Sequence, residues 1–211
     1  MTLVKICGVR DVETANVAVE AGAGMVGLVF FADSPRHVDL EQAHDIARAV
    51  PQNVDVVGLM VDPTDFDLDV ILTAADLSMI QLHGIETPER VADIRKKYQL
   101  PVMKALAVGS AGDLDRARAY EEAADWLLFD AKPEADAKLP GGNGVAFDWT
   151  LLAGRQWRKP WMLSGGLTPE TVVEAIHVTG ATAVDVSSGV EDKPGTKSFE
   201  KIRRFIAAAR D

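Results

Sequence analysis

A single cysteine, Cys7, stands among 211 residues, so no internal disulfide can form, and no CxxC pair is present to suggest a zinc site. A reducing cytoplasm is the expected setting. Long apolar runs are missing as well. The longest stretch free of charged or strongly polar residues, Ala21 to Ala32, is 12 residues, against the ~18 or more that mark a membrane span. The N-terminal MTLVKICGVR lacks the apolar core of a secretory signal, so neither membrane nor export is expected. Positive charge is scarce: 22 Lys and Arg stand against 32 Asp and Glu, a net charge of −10, and no basic run appears. Nucleic acid is therefore not an expected partner, and an anionic ligand must be captured locally. Aromatic residues make up only 6%, yet 47% of the chain is hydrophobic, enough to offset the entropy of ordering and to exclude a disordered tail. No linker, low-complexity segment or shift in composition divides residues 1–211, which reads as a single domain.

What is present is a repeat. An apolar, strand-like run followed by an amphipathic helical stretch recurs eight times. The strand runs are Leu3 to Cys7, Met25 to Phe30, Val54 to Val61, Met79 to Leu82, Val102 to Ala107, Trp126 to Asp130, Trp161 to Ser164 and Ala183 to Ser187. Most are continuous rather than alternating, as expected of parallel strands covered on both faces. Helix starts are predicted at Thr87-Pro88-Glu89 and Thr168-Pro169-Glu170, each with a capping oxygen ahead of a first-turn proline. After Asp11, Val12, Ala15 and Val19 share a face and Gly22 ends the run; Val172, Val173 and Ile176 form a similar stripe ended by Gly180. At roughly 26 residues per unit, the chain fits a small (β/α)₈ barrel of eight parallel strands ringed by helices. A doubly wound open sheet shares the alternation, and the count of eight units decides for the barrel. One connection stands out: Ala131 to Ala146, containing PGGNG, is 16 residues and reads as a mobile lid over the strand ends.

In such a barrel the strand C-termini and the loops just after them converge on one face. There lie Cys7, in Lys5-Ile6-Cys7-Gly8, the loop Ser34-Pro35-Arg36, Gln81-Leu82-His83-Gly84, Asp130, Ser164-Gly165-Gly166-Leu167, and Asp185-Val186-Ser187-Ser188-Gly189-Val190-Glu191. The last two are Gly/Ser-rich and follow strands seven and eight, the frequent phosphate position of this architecture. Gly165, Gly166, Ser187, Ser188 and Gly189 are therefore candidate phosphate-binding residues: glycine lets backbone approach the ligand, and exposed N–H groups hold an anion without net positive charge. A phosphorylated small molecule is implied. A lone cysteine such as Cys7 is more often a small buried hydrophobe than a nucleophile or base, and Asp130 reads as a salt-bridge partner or a cap as easily as a proton donor. Arg36 can fork onto a carboxylate with two parallel hydrogen bonds. His83 can touch substrate or bond to a loop carbonyl. His37, His44 and His177 have no partners at metal-binding spacing.

In sequence order these segments resemble the phosphoribosylanthranilate isomerase family of tryptophan biosynthesis, over essentially the whole chain. The matching runs are KICG at Lys5 to Gly8, GLVF followed by SPR, QLHG at Gln81 to Gly84, GGNG before FDW, SGGL at Ser164 to Leu167, and DVSSGVE followed by PGTK up to Lys197. Three positions depart from the family's usual residues: Asn143, Ser198 and Ala131. The resemblance implies an Amadori rearrangement, in which the ribose ring opens to an imine and a proton leaves the sugar's second carbon. By the same resemblance Asp130 is the acid on the ring oxygen, Cys7 the base, and Arg36 the holder of the anthranilate carboxylate. Neither metal nor redox cofactor is implied.

In their ordinary states both proton-carrying groups are mismatched to these roles: at pH 7 an aspartic acid is only ~0.1% protonated, and a cysteine is only a few per cent thiolate. Burial of Asp130 after its apolar run, and positive charge from Lys5 near Cys7, are the expected corrections. Two rivals remain. The histidine-pathway aminoaldose isomerase performs the same rearrangement on a two-phosphate substrate, but resembles this chain less, having a carboxylate where Cys7 stands. A non-catalytic phosphate-binding barrel would need the anion loops without Cys7, Asp130 and Arg36 together. Monomer and homodimer are both open.

Overall fold

Eight parallel strands close on themselves in the order of the chain, so every strand edge is paired. The computed structural model describes residues 1–132 and 147–210. The strands are β1 Leu3–Cys7, β2 Met25–Phe30, β3 Asp55–Met60, β4 Met79–Leu82, β5 Val102–Val108, β6 Trp126–Ala131, β7 Trp161–Leu163 and β8 Ala183–Val186. Each lies where an apolar run predicts it, with ends moved by a residue or so. Ser164 and Ser187, read as strand ends, fall just outside β7 and β8 and belong to the loops.

Helices α1 Val12–Ala21, α2 Leu40–Ala49, α3 Asp65–Ala74, α4 Pro88–Tyr98, α5 Ala111–Ala117, α6 Val172–Thr179 and α7 Phe199–Arg210 cover the outside. Their ends follow local chemistry. Asp11 caps α1 through Thr14 N–H, and Gly22, at φ 105°, ends it in the left-handed region that glycine tolerates. Thr87 caps α4 with Pro88 in its first turn, as predicted. The parallel prediction at Thr168 is corrected. Thr168 O accepts from Thr171 N–H at 3.2 Å and Thr168 Oγ1 from Glu170 N–H at 3.2 Å, closing a turn, so α6 begins only at Val172. Between β6 and β7 the described residues form a 3-10 turn, Trp149–Leu152, capped by Asp148, where the repeat predicts a helix. Apart from Ala131, which ends β6, and Lys132, the expected lid and its Asn143 lie outside the described residues.

Two cores result from the strands' period of two. Outward residues such as Val4, Ile6, Val26, Ile80 and Phe129 meet the helices; α7 turns Ile202, Phe205, Ile206 and Ala209 onto them at helical spacing. Inward residues fill the barrel in layers. Met25, Val57, Met79, Met103, Ala105, Leu128, Met162 and Ala183 pack there, and above them Cys7, Val29 and Leu59 form a separate cluster. The same alternation carries Lys5 and Cys7 on β1, Asp130 two residues beyond Leu128 and Asp185 two beyond Ala183 into the upper interior. The active face is thus the top layer of a packed core rather than an appendage to it.

A hairpin that the sequence reading does not anticipate follows β8. Its strands β9 Glu191–Lys193 and β10 Thr196–Lys197 pair antiparallel, with Glu191 opposite Lys197. Gly195 turns it at φ 78°, so close to the β2–α2 loop that an added Cβ would sit 2.3 Å from Pro35 O.

Candidate active site

Burial makes Cys7 and its neighbours one electrostatic unit. Lys5 Nζ, fully buried, lies 2.9 Å from Asp185 Oδ1, its direct partner in the β1–β8 register. Ser164 Oγ donates to the other oxygen of Asp185 at 3.1 Å. Opposite Cys7 on β2 is Gly27, where a Cβ would fall 2.9 Å from Cys7 Sγ and 3.1 Å from Lys5 Nζ. The missing side chain lets the sulfur and the ammonium share this space. Burial raises the Cys7 thiol above its ordinary range, with Asp185 adding to the rise, while Lys5 and Lys197 pull it down without cancelling it. The ligand-free group is therefore a thiol, and the cations expected to favour the thiolate moderate its cost instead. Burial opposes the Lys5 charge too, but Asp185 outweighs it and holds the ammonium.

Lys5 acts on the sulfur more strongly than Asp185 does. Replacing the pair together, Lys5→Met with Asp185→Asn, avoids leaving an uncompensated buried carboxylate. We expect the thiol of this double variant to ionise at higher pH than the wild-type thiol, followed by ultraviolet thiolate absorbance. A midpoint at lower pH would remove Lys5 from control of the sulfur.

Asp130 is buried at the end of β6, where Oδ1 accepts from Ala131 N–H at 2.8 Å. His83 Nε2 stands 3.3 Å from its Oδ2. On the other side of the ring Gln81 Nε2 stands 3.1 Å from His83 Nδ1, so the ring is held between the amide and the carboxyl group. Gln81, His83 and Asp130 thus form a line from the interior of β4 to the end of β6. Gln81 Oε1 is buried without a partner among the described residues.

Arg36 lies in a loop closed by two backbone bonds, Ser34 N–H to Phe31 O and His37 N–H to Ser34 O. Its guanidinium forks onto Glu191, Nε to Oε1 and Nη2 to Oε2, both at 2.8 Å. Gly8, at φ 77°, makes room for it: a Cβ there would meet Arg36 Cδ at 2.7 Å. Lys197 Nζ completes the group, donating to Glu191 Oε1 at 2.9 Å, Ser187 O at 3.0 Å and Ser187 Oγ at 3.2 Å. Burial pushes the Glu191 carboxyl up, but Arg36 and Lys197 outweigh it and hold the group below the usual carboxylate range. Burial lowers Lys197, which Glu191 only partly restores.

The two Gly/Ser loops adjoin. Gly165 and Gly166 have φ of 85° and 67°, and among the described residues neither amide N–H has a backbone acceptor. Ser188–Val190 is a 3-10 turn whose Gly189 lies against the first loop, an added Cβ falling 1.8 Å from Leu167 O. Because a backbone oxygen cannot swing aside, Gly189→Ala is expected to cost about 1–3 kcal/mol, read from denaturant unfolding. A stability equal to wild type would show that this turn shifts freely.

The structure therefore brings Cys7 and Arg36 together around the β8–β10 segment, and His83 beside Asp130. Lys5 stands beside Cys7 as expected, while Gln81, Asp185, Glu191 and Lys197 are residues to which the sequence assigns no role. A charge inside an apolar strand marks Asp185, in AVDV, and opposite charges on either side of Pro194-Gly195 mark Glu191 and Lys197, whereas Gln81 carries neither signal.

A closed (β/α)₈ barrel with a thiol, a carboxyl–imidazole pair and two adjoining Gly/Ser loops at its strand ends defines the class: a (β/α)₈ barrel that gathers acid–base groups and backbone amides at the C-terminal ends of its strands. Residues 4–208 match the family model for N-(5'phosphoribosyl)anthranilate (PRA) isomerase, and the chain belongs to that family. An N-(5'-phosphoribosyl)anthranilate isomerase of Paramagnetospirillum magneticum is 58% identical over 207 residues, covering 98% of this chain and 96% of the relative. The phosphoribosyl anthranilate isomerase of Thermotoga maritima superposes with a TM-score of 0.89 at 37% identity, covering 100% of this chain and 99% of that one. A phosphoribosyl anthranilate isomerase solved with reduced 1-(o-carboxyphenylamino)-1-deoxyribulose 5-phosphate gives a TM-score of 0.85 at 36% identity, with the same coverage. The chain is an isomerase of this family. Among the described residues no helix is long and apolar enough to cross a membrane.

Proposed function

We propose that Cys7 and Asp130 carry out in this chain the reaction of its family, the isomerisation of N-(5'-phosphoribosyl)anthranilate to 1-(2-carboxyphenylamino)-1-deoxyribulose 5-phosphate in L-tryptophan biosynthesis. The observation that carries this reading is the fate of the inward strand positions: the alternation that fills the barrel with methionine ends, on β1 and β6, in a sulfur and a carboxyl. The phosphate sits on the N–H groups of Gly165, Gly166, Ser188 and Gly189, with Ser187 beside them. Arg36 takes the anthranilate carboxylate.

Asp130 gives its proton to the ribose ring oxygen as the anilino nitrogen's electron pair forms the imine, breaking the ring C–O bond. The thiolate of Cys7 then removes the proton from the second sugar carbon, and the C–H electron pair flows to the imine nitrogen to give the enolamine. Tautomerisation yields the ketone. His83, 3.3 Å from Asp130, orients the acid. The thiol's high resting position reduces the thiolate population but makes each thiolate a stronger base, and Lys5 and Lys197 set that balance. All these groups come from one chain; a Thermotoga maritima relative is dimeric. A buried thiol suits a reducing cytoplasm.

The test is the loss of anthranilate-type fluorescence on mixing with N-(5'-phosphoribosyl)anthranilate. An isomerase consumes many equivalents of substrate. A signal that stops at one equivalent per chain would overturn the reading in favour of a binding protein.

A further inference from the structure

Three buried side chains, Arg36 from the β2–α2 loop and Glu191 and Lys197 from the hairpin, meet beside the groups assigned to the acid–base reaction. Glu191 accepts the Arg36 fork with one oxygen each from Nε and Nη2, and the same Oε1 accepts from Lys197. Lys197 spends its other contacts on Ser187 O and Oγ, at the start of the Gly/Ser turn. Arg36 and Ser187 thus belong to opposite ends of the substrate as read above, one facing the carboxylate and one the phosphate, yet they are joined by two side chains.

We propose that Glu191 is a positioning residue that ties the carboxylate end of the site to its phosphate end. This rests on the reading given under Proposed function. The hairpin supplies the rigidity: Glu191 and Lys197 are cross-strand partners, Gly195 packs against Pro35 O, and the Glu191 backbone oxygen accepts from Lys201 Nζ of α7 at 2.7 Å. A bidentate fork fixes the guanidinium plane, which one point charge would not do. Removing the Glu191 carboxylate therefore releases both Arg36 and, through Lys197, the turn.

The coupling is read by two separate probes, anthranilate for the carboxylate end and inorganic phosphate for the other, each measured as an inhibitor of turnover. Glu191→Gln is expected to weaken inhibition by both probes about tenfold or more, and to raise KM more than it lowers kcat. Lys197→Met keeps the Arg36 fork and is expected to weaken phosphate alone. Loss of only one probe in Glu191→Gln, or wild-type inhibition by both, overturns the proposal. Should Glu191→Gln fail to fold, Glu191→Asp keeps the charge but shortens the arm, and the same joint loss is expected; wild-type inhibition there is equally decisive against it. A wild-type protein that neither probe inhibits would fail the functional reading itself and the proposal with it.

Discussion

Replacing Cys7 with alanine lowers kcat by about 10²-fold to 10⁴-fold, the contribution of one general base, while the barrel remains folded. The fold survives because the sulfur is a small member of the upper interior cluster with Val29 and Leu59. Removing it leaves a cavity smaller than a leucine truncation would, for a cost of about 1–2 kcal/mol. Lys5 keeps Asp185 and Lys197 keeps Glu191, so no buried charge is orphaned. Binding is expected to change little, since the contacts assigned to carboxylate and phosphate lie on other residues. Steady-state kinetics beside thermal unfolding separates the two effects. Turnover within a few-fold of wild type in a folded Cys7→Ala protein would remove the thiol from the reaction.

Asp130→Asn is the second large effect, with kcat lowered by a similar factor of about 10²-fold or more. The amide has nearly the shape of the carboxyl, and its one oxygen can still accept from Ala131 N–H, which turns the NH2 toward His83. What it lacks is a proton that it can surrender to the ring oxygen. The loss should therefore fall on kcat, with the unfolding midpoint near wild type. Equal falls in activity and stability would instead make Asp130 a structural partner of His83.

How much of this can be read in the sequence depends on the distance over which each decision is made. Strands such as Met25–Phe30 and Met79–Leu82 are settled by their own apolar runs, and α1 by Asp11 and Gly22 at its ends. Cys7, His83 and Asp130 are found by a local rule too, because strand C-termini face one way in this architecture. The turn at Thr168 shows where local rules compete: the same hydroxyl that would cap a helix closes a tighter turn with Glu170 and Thr171. The partner of Arg36 is a different case. Glu191 is 155 positions away, and Lys5 meets Asp185 across 180 positions, contacts that exist only because β8 closes against β1. No window of sequence contains both members of such a pair. Arg36 reads as a ligand holder from its loop, and its fork onto Glu191 emerges only from the closed barrel.

The claim on which the mechanism turns is that one thiol and one carboxyl address the same sugar. A crystal structure of this protein with reduced 1-(o-carboxyphenylamino)-1-deoxyribulose 5-phosphate, which does not turn over, tests it most directly. Cys7 Sγ should lie against the second sugar carbon and the Asp130 carboxyl within hydrogen-bond reach of the sugar oxygen released from the ring, with the phosphate on the Gly165–Gly166 and Ser188–Gly189 amides. A sugar contacted by only one of the two groups, or a phosphate bound elsewhere in the barrel mouth, would contradict the account.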